Sequence, residues 1–176
     1  MAIETLETML TGGHHNSLGR TVEVVEVVLA DSARLDELYK CYFSGDEVVR
    51  LRTSSAFKRI SQEQLDWLVP YIDKFLNEIA AIEQASTQWT LAILFEALTP
   101  KMSEIQFAKA VSLVRRNLTT WDDWIVLNYS MQALANWAGS DPELESWLRP
   151  HLEFRLNDER KAVAGRAKKV LAQLDR

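Results

Sequence analysis

Two stretches of this chain, eighty positions apart, carry nearly the same pattern. Residues 61–77 read SQEQLDWLVPYIDKFLN and residues 141–157 read DPELESWLRPHLEFRLN. Glu63, Trp67, Leu68, Pro70, Leu76 and Asn77 recur as Glu143, Trp147, Leu148, Pro150, Leu156 and Asn157. Repetition at a fixed spacing marks a repeat architecture, in which each unit is one supersecondary element that buries its apolar face only by stacking on its neighbours.

A shorter period runs through the segments between. Val49-Arg50-x-x-Thr53-x-x-Ala56-Phe57-x-x-Ile60 matches Val126-Leu127-x-x-Ser130-x-x-Ala133-Leu134-x-x-Trp137 and Val163-Ala164-x-x-Ala167-x-x-Val170-Leu171-x-x-Leu174. Gln88-Trp89-x-x-Ala92-x-x-Phe95-Glu96 is a weaker copy. The copies start at 49, 88, 126 and 163, in steps of 39, 38 and 37. Within each, inward positions fall at i, i+4, i+7, i+8 and i+11, the stripe of an amphipathic helix. A small residue at i+4 lets neighbouring backbones approach.

Start signals mark the partner helices. Ser61-x-x-Gln64 and Ser103-x-x-Gln106 read as capping boxes, and Asp141-Pro142 as an N-cap followed by proline at the first helical position. Pro70 and Pro150 each lie nine residues past such a start. A proline that deep removes an internal hydrogen bond and bends the helix. The expected elements are a lone helix over about 17–30, with Leu18, Val22, Val25 and Leu29 inward, and then four helix pairs. The pairs cover about 32–43 with 46–61, 62–82 with 85–98, 104–118 with 122–138, and 142–156 with 158–174. Residues 1–16 are expected to form a loose arm or short cap, and 17–176 a single helical repeat domain.

The second-helix pattern and the proline-bent first helix resemble HEAT repeats, and Asp46-x-x-Val49-Arg50 is the closest single match. The resemblance covers residues 31–176. It implies an all-α fold, a short right-handed armadillo-like α-solenoid of about four antiparallel pairs plus an N-terminal helix. It also implies use as a protein-binding scaffold, although a fold alone does not fix function. The arginine of that motif is replaced by Trp89, Leu127 and Ala164 in later copies, so a regular Asp–Arg ladder is not expected.

Composition narrows the function classes. The net charge is −5, which argues against nucleic acid as the default partner, since phosphate neutralisation drives that binding. Residues 1–100 carry 8 Lys+Arg and 15 Asp+Glu, whereas residues 101–176 carry 12 and 10, so a basic C-terminal end keeps an anionic partner open. One cysteine, Cys41, rules out an internal disulfide framework and fits a reducing, cytoplasmic setting. The N-terminal MAIETLETMLTGG lacks the basic and apolar regions of a signal peptide, and no apolar run is long enough to span a membrane.

In a solenoid the second helices line the concave side, and their i+3, i+6 and i+10 positions face the groove. These are Arg52, Ser55 and Arg59, then Leu91, Leu94 and Leu98, then Tyr129, Gln132 and Asn136, and finally Arg166, Lys169 and Gln173. A groove basic at both ends and apolar in the middle suits an anionic peptide with a hydrophobic anchor. Trp89, beside Gln84, Ser86 and Gln88, joins Arg52, Arg59, Tyr129, Arg166 and Lys169 as expected contact residues. The competing expectation is that the leucines pack under a neighbouring helix.

A second site expectation comes from Trp121-Asp122-Asp123-Trp124. DNA glycosylases built on HEAT-like repeats hold a cationic alkylated base with tryptophans and an aspartate, so the resemblance offers Trp121, Asp123 and Trp124 as an alternative nucleic-acid site. Alternatively, the carboxylates cap the next helix. Some bilin-attaching enzymes also use HEAT-like repeats, a third reading. No catalytic group, cofactor or metal site is expected. His14 and His15 sit in a Gly-rich arm, His151 stands alone, one cysteine makes no zinc pattern, and no carboxylate pair is marked as desolvated. Cys41 lies in an apolar run and reads as a small hydrophobe.

Overall fold

The structure, a computed structural model, describes residues 4–176, and every regular element among them is helical. Ten α-helices follow one another: α1 (Leu6–Leu10), α2 (Thr21–Ala30), α3 (Leu35–Lys40), α4 (Glu47–Glu63), α5 (Ile72–Asn77), α6 (Ala85–Leu98), α7 (Glu104–Thr120), α8 (Trp124–Ala138), α9 (Pro142–Arg155) and α10 (Lys161–Leu174). Short 3₁₀ turns join several of them. The contacts gather into two compact units, one ending at Thr90 and the other beginning at Leu91, so the boundary falls inside α6.

Several start signals act as the sequence indicates. Ser103 and Gln106 form a reciprocal capping box on α7. Asp141 Oδ1 accepts from the amides of Glu143 and Leu144 at the head of α9, with Pro142 at its first position. The Ser61 box does not form. Ser61 lies inside α4, and its hydroxyl donates to the Lys58 carbonyl at 2.7 Å. The first helix expected over 62–82 is correspondingly broken into a 3₁₀ segment over Leu65–Tyr71 that contains Pro70, the short α5, and a further 3₁₀ turn. Pro150, by contrast, lies within a continuous α9.

In the first unit, α2 packs on α4, and α1 packs against α2, α3 and α4. Of the two expectations for residues 1–16, a loose arm or a short cap, the described residues show a short packed helix, with Leu6, Met9 and Leu10 buried. The inward face of α2 is Thr21, Val24, Val25 and Val28; of the expected set Val25 is buried and Leu29 half-buried, whereas Leu18 and Val22 are exposed. A helix that is valine-rich all round gives its phase away only through its charges, and Glu23 and Glu26 mark the outer face. The core here is aromatic, built from offset and edge-on ring pairs of the kind the ring quadrupole favours. Phe57 stacks on Tyr42 at 5.5 Å. It meets Phe75 edge-on at 5.4 Å, while Tyr39 sits 6.3 Å from Phe75.

In the second unit α8 is the central element, packed against α7, α9 and α10, with α9 also on α10. Its Val126, Leu127, Met131, Ala133, Leu134 and Ala138 are buried. Trp137 is buried edge-on to Phe107 at 5.5 Å. Its indole N–H donates to Thr99 Oγ1 at 2.9 Å. That bond satisfies the one polar atom the ring carries into the core. No helix among the described residues is long and apolar enough to cross a membrane.

Candidate functional site

In the second unit, burial of the α8 and α10 stripes leaves two rows of side chains outward. Tyr129, Gln132 and Asn136 stand at i, i+3 and i+7 on α8, and Arg166, Lys169 and Gln173 at the same spacing on α10. The rows interlock. Arg166 Nη1 donates to Gln132 Oε1 at 2.8 Å, Gln132 Nε2 donates to Gln173 Oε1 at 3.1 Å and to Asn136 Oδ1 at 3.0 Å, and Gln173 Nε2 donates to Asn136 Oδ1 at 2.8 Å. Asn136 Nδ2 reaches across to Glu96 Oε1 of α6 at 2.6 Å. Each amide acts as donor and acceptor at once, so the network holds long, solvent-facing side chains in place. Beside it lies a shallow depression of about 350 Å³ lined by Ile93, Glu96, Ala97, Tyr129 and Gln132. Tyr129 is 38% exposed at its edge.

The groove positions expected on α6 are corrected. Leu91, Leu94 and Leu98 are completely buried, and the least buried residues of this helix include Trp89, Ile93, Glu96 and Ala97. A helix apolar almost all round carries little phase information, and burial claims most of its circumference.

Arg52 is the second correction. Expected on an open groove, it is only 1% exposed. Its guanidinium donates to main-chain carbonyls of the segment between α1 and α2: Nε to Ser17 at 3.2 Å, Nη1 to Leu10 at 2.7 Å and Gly12 at 2.6 Å, and Nη2 to His14 at 3.2 Å. The cation is thus solvated by carbonyl dipoles, and no carboxylate pairs with it among the described residues. Gly19 closes the turn with φ +52°, and a Cβ there would stand 2.7 Å from Arg52 Cζ. Arg59 is half-buried, with a buried Nε that no acceptor meets.

Around Arg52, still within the first unit, a cleft of about 340 Å³ is walled by residues 15–18 of that segment, by Leu51, Ser54, Ser55 and Lys58 of α4, and by Trp89 and Thr90. Sequence reasoning selected Trp89 and Arg52 but missed Lys58 and Leu18. The signal was the glycine-rich segment itself, which needs a partner to hold its shape.

Trp121 and Asp123 flank the turn into α8. The Asp123 carboxylate accepts from the amides of Ile125 and Val126 at 2.9 and 3.0 Å. It caps the helix through Oδ1, the alternative role that the sequence offered. Trp124 is the first residue of α8 and is 48% exposed. Asp122 pairs with Arg160 at 3.0 Å, and Arg160 also binds Asp158. The Asp158 carboxyl is held well below the usual carboxylate range, first by its hydrogen bond from the Arg160 side chain.

His14 and His15 stack on each other at 4.5 Å on the surface. Among the described residues no group of His, Cys, Asp and Glu is placed to hold a metal ion. Cys41 is buried, and desolvation pushes its thiol up to about 12, so little nucleophilic thiolate exists at neutral pH. His151 lies against the Trp147 ring at 4.3 Å, with the Arg115 guanidinium 4.1 Å from the same ring. Burial, followed by the Arg115 and Arg155 charges, lowers its pKa below the ordinary histidine value.

No model of a known protein family matches the chain, and no curated protein matches it.

Proposed function

We propose that this chain is a non-catalytic protein-binding module, a HEAT-like α-solenoid of helix pairs that docks a partner through the outward rows of α8 and α10. One observation carries the reading. Tyr129, Gln132 and Asn136 and the matching Arg166, Lys169 and Gln173 lie on one face, where hydrogen bonds tie four of the six together. A pre-ordered polar surface loses less side-chain entropy on association than a mobile one. Tyr129 beside Ile93 and Ala97 offers an amphipathic anchor point, with Arg166 and Lys169 on the flank, so the fitting partner carries an apolar side chain next to acidic residues. The single buried cysteine supports a cytoplasmic setting.

The test is affinity capture from native lysate with wild-type protein, Tyr129→Ala and the Arg166→Glu/Lys169→Glu pair, each checked for unchanged helicity. Partners recovered by wild type should be depleted by both variants. Equal recovery by all three removes the reading.

A further inference from the structure

We propose that the cleft beside Arg52 is a separate binding site for a small organic carboxylate with an aryl or branched-alkyl body. It lies wholly in the first unit and does not depend on the docking face of α8 and α10.

The argument begins with charge. The chain up to Thr90 carries eight Lys and Arg against fourteen Asp and Glu, yet the residues lining the cleft include Arg52, Lys58 and His15 and not one carboxylate. In a segment so acidic, a cation-only lining is a local reversal of sign. It persists because neither cation has a counter-ion: among the described residues no carboxylate pairs with Arg52 or Lys58. Arg52 is held by four carbonyl contacts, which orient it but leave its charge uncancelled. A guanidinium has five N–H groups. Four of them are taken by the Ser17, Leu10, Gly12 and His14 carbonyls, and at 1% exposure Arg52 acts on the cleft through its charge rather than as a direct donor. The half-buried Lys58 ammonium supplies the direct donors, three in number. The Ser55 hydroxyl lies between the two cations in sequence on α4.

The body of the ligand follows from the other walls. Leu18 is 46% exposed and Trp89 is half-buried, and both line the cleft together with Leu51. An indole and two aliphatic side chains sharing one lining with unpaired cations make an amphiphilic slot. The cleft, at about 340 Å³, is small. It falls at the low end for ligand sites, which matches a single ring system or branched chain carrying one acid group. A rigid wall is already supplied, because Arg52 pins residues 10–17 through their main chain.

The experiment titrates 2-naphthoate and its neutral isostere 2-naphthamide into the full chain, followed by amide ¹H–¹⁵N shifts. Naphthoate should give saturable shifts at residues 15–18, 51–58 and 89–90, with a Kd on the order of 1 mM or tighter for so small a ligand. Naphthamide should bind at least about fivefold more weakly, the effect of one partly solvated charge pair. In Lys58→Met, which keeps an unbranched helix-forming side chain at a half-buried site, that preference for the acid should fall to about twofold or less. Naphthoate and naphthamide binding equally well to wild type overturns the proposal. So does an undiminished preference in Lys58→Met, shifts centred outside the cleft, or no saturable shift by about 5 mM.

Discussion

Replacing Arg52 with methionine keeps most of the side chain's length and removes its four charge-assisted hydrogen bonds. Hydrogen bonds to a charged group contribute about 1.5–3 kcal/mol each. Simple addition would give about 6–12 kcal/mol, which overstates the loss. Gly12, His14 and Ser17 are exposed residues, so their freed carbonyls regain water, and only the Leu10 contact is wholly buried. Methionine also avoids the desolvation that a buried guanidinium carries. The net expectation is a loss of about 2–4 kcal/mol on unfolding by urea. Hydrogen exchange should quicken selectively at the amides of Ser17 and Thr21, which donate to His14 and Leu18 carbonyls within the same segment. Arg52→Lys should recover less than half of the loss, because an ammonium cannot reach four diverging carbonyls from one point. A change under about 0.5 kcal/mol for the methionine variant, or wild-type stability for the lysine variant, would refute the idea that this guanidinium organises the segment.

Gly19→Ala should cost about 1–3 kcal/mol, since it combines a left-handed φ with a Cβ pressed on Arg52, whereas Gly45→Ala, with open space around it, should be near neutral in the same urea assay. Gly165→Ala lies in the body of α10, where an added Cβ meets only open space. It should raise stability by about 0.5–1 kcal/mol in that assay. His151 has a folded pKa lowered from its ordinary 6.5, so the unfolded state takes up the proton first. Its contribution is therefore complete above the unfolded pKa and is lost as pH falls below it. His151→Gln should flatten the stability profile between about pH 5 and 7, and an unchanged slope would remove the assignment.

The helices were legible where capping and periodicity agreed. On α8 and α10 charged or amide side chains punctuate the apolar stripe, so the outward rows could be named from spacing alone. On α2 and α6, where valine, leucine and alanine run nearly all round, the period survives but its phase does not. The two matching stretches show a different limit. Asp141-Pro142 follows the Gly139-Ser140 break and starts a new helix, whereas Ser61 follows an unbroken helical run and is absorbed into α4. The shared Glu, Trp, Leu, Pro, Leu and Asn positions therefore fold differently, because both the start residues (Asp-Pro against Ser-Gln) and what precedes them differ. The cleft was illegible for another reason: Arg52 and its carbonyl partners are 35 to 42 residues apart in the chain, and main-chain acceptors leave no trace in side-chain identity.

That last property has a consequence for variation. Every residue type supplies a carbonyl, so apart from the left-handed glycines, Gly12 at φ +79° and Gly13 at φ +75°, the stretch from Thr11 to Ser17 could exchange its side chains and still be gripped in the same shape. Substitutions there should alter what the cleft wall offers a guest without loosening the wall. The glycine at 19 and the cation at 52 are the pair that must change together or not at all.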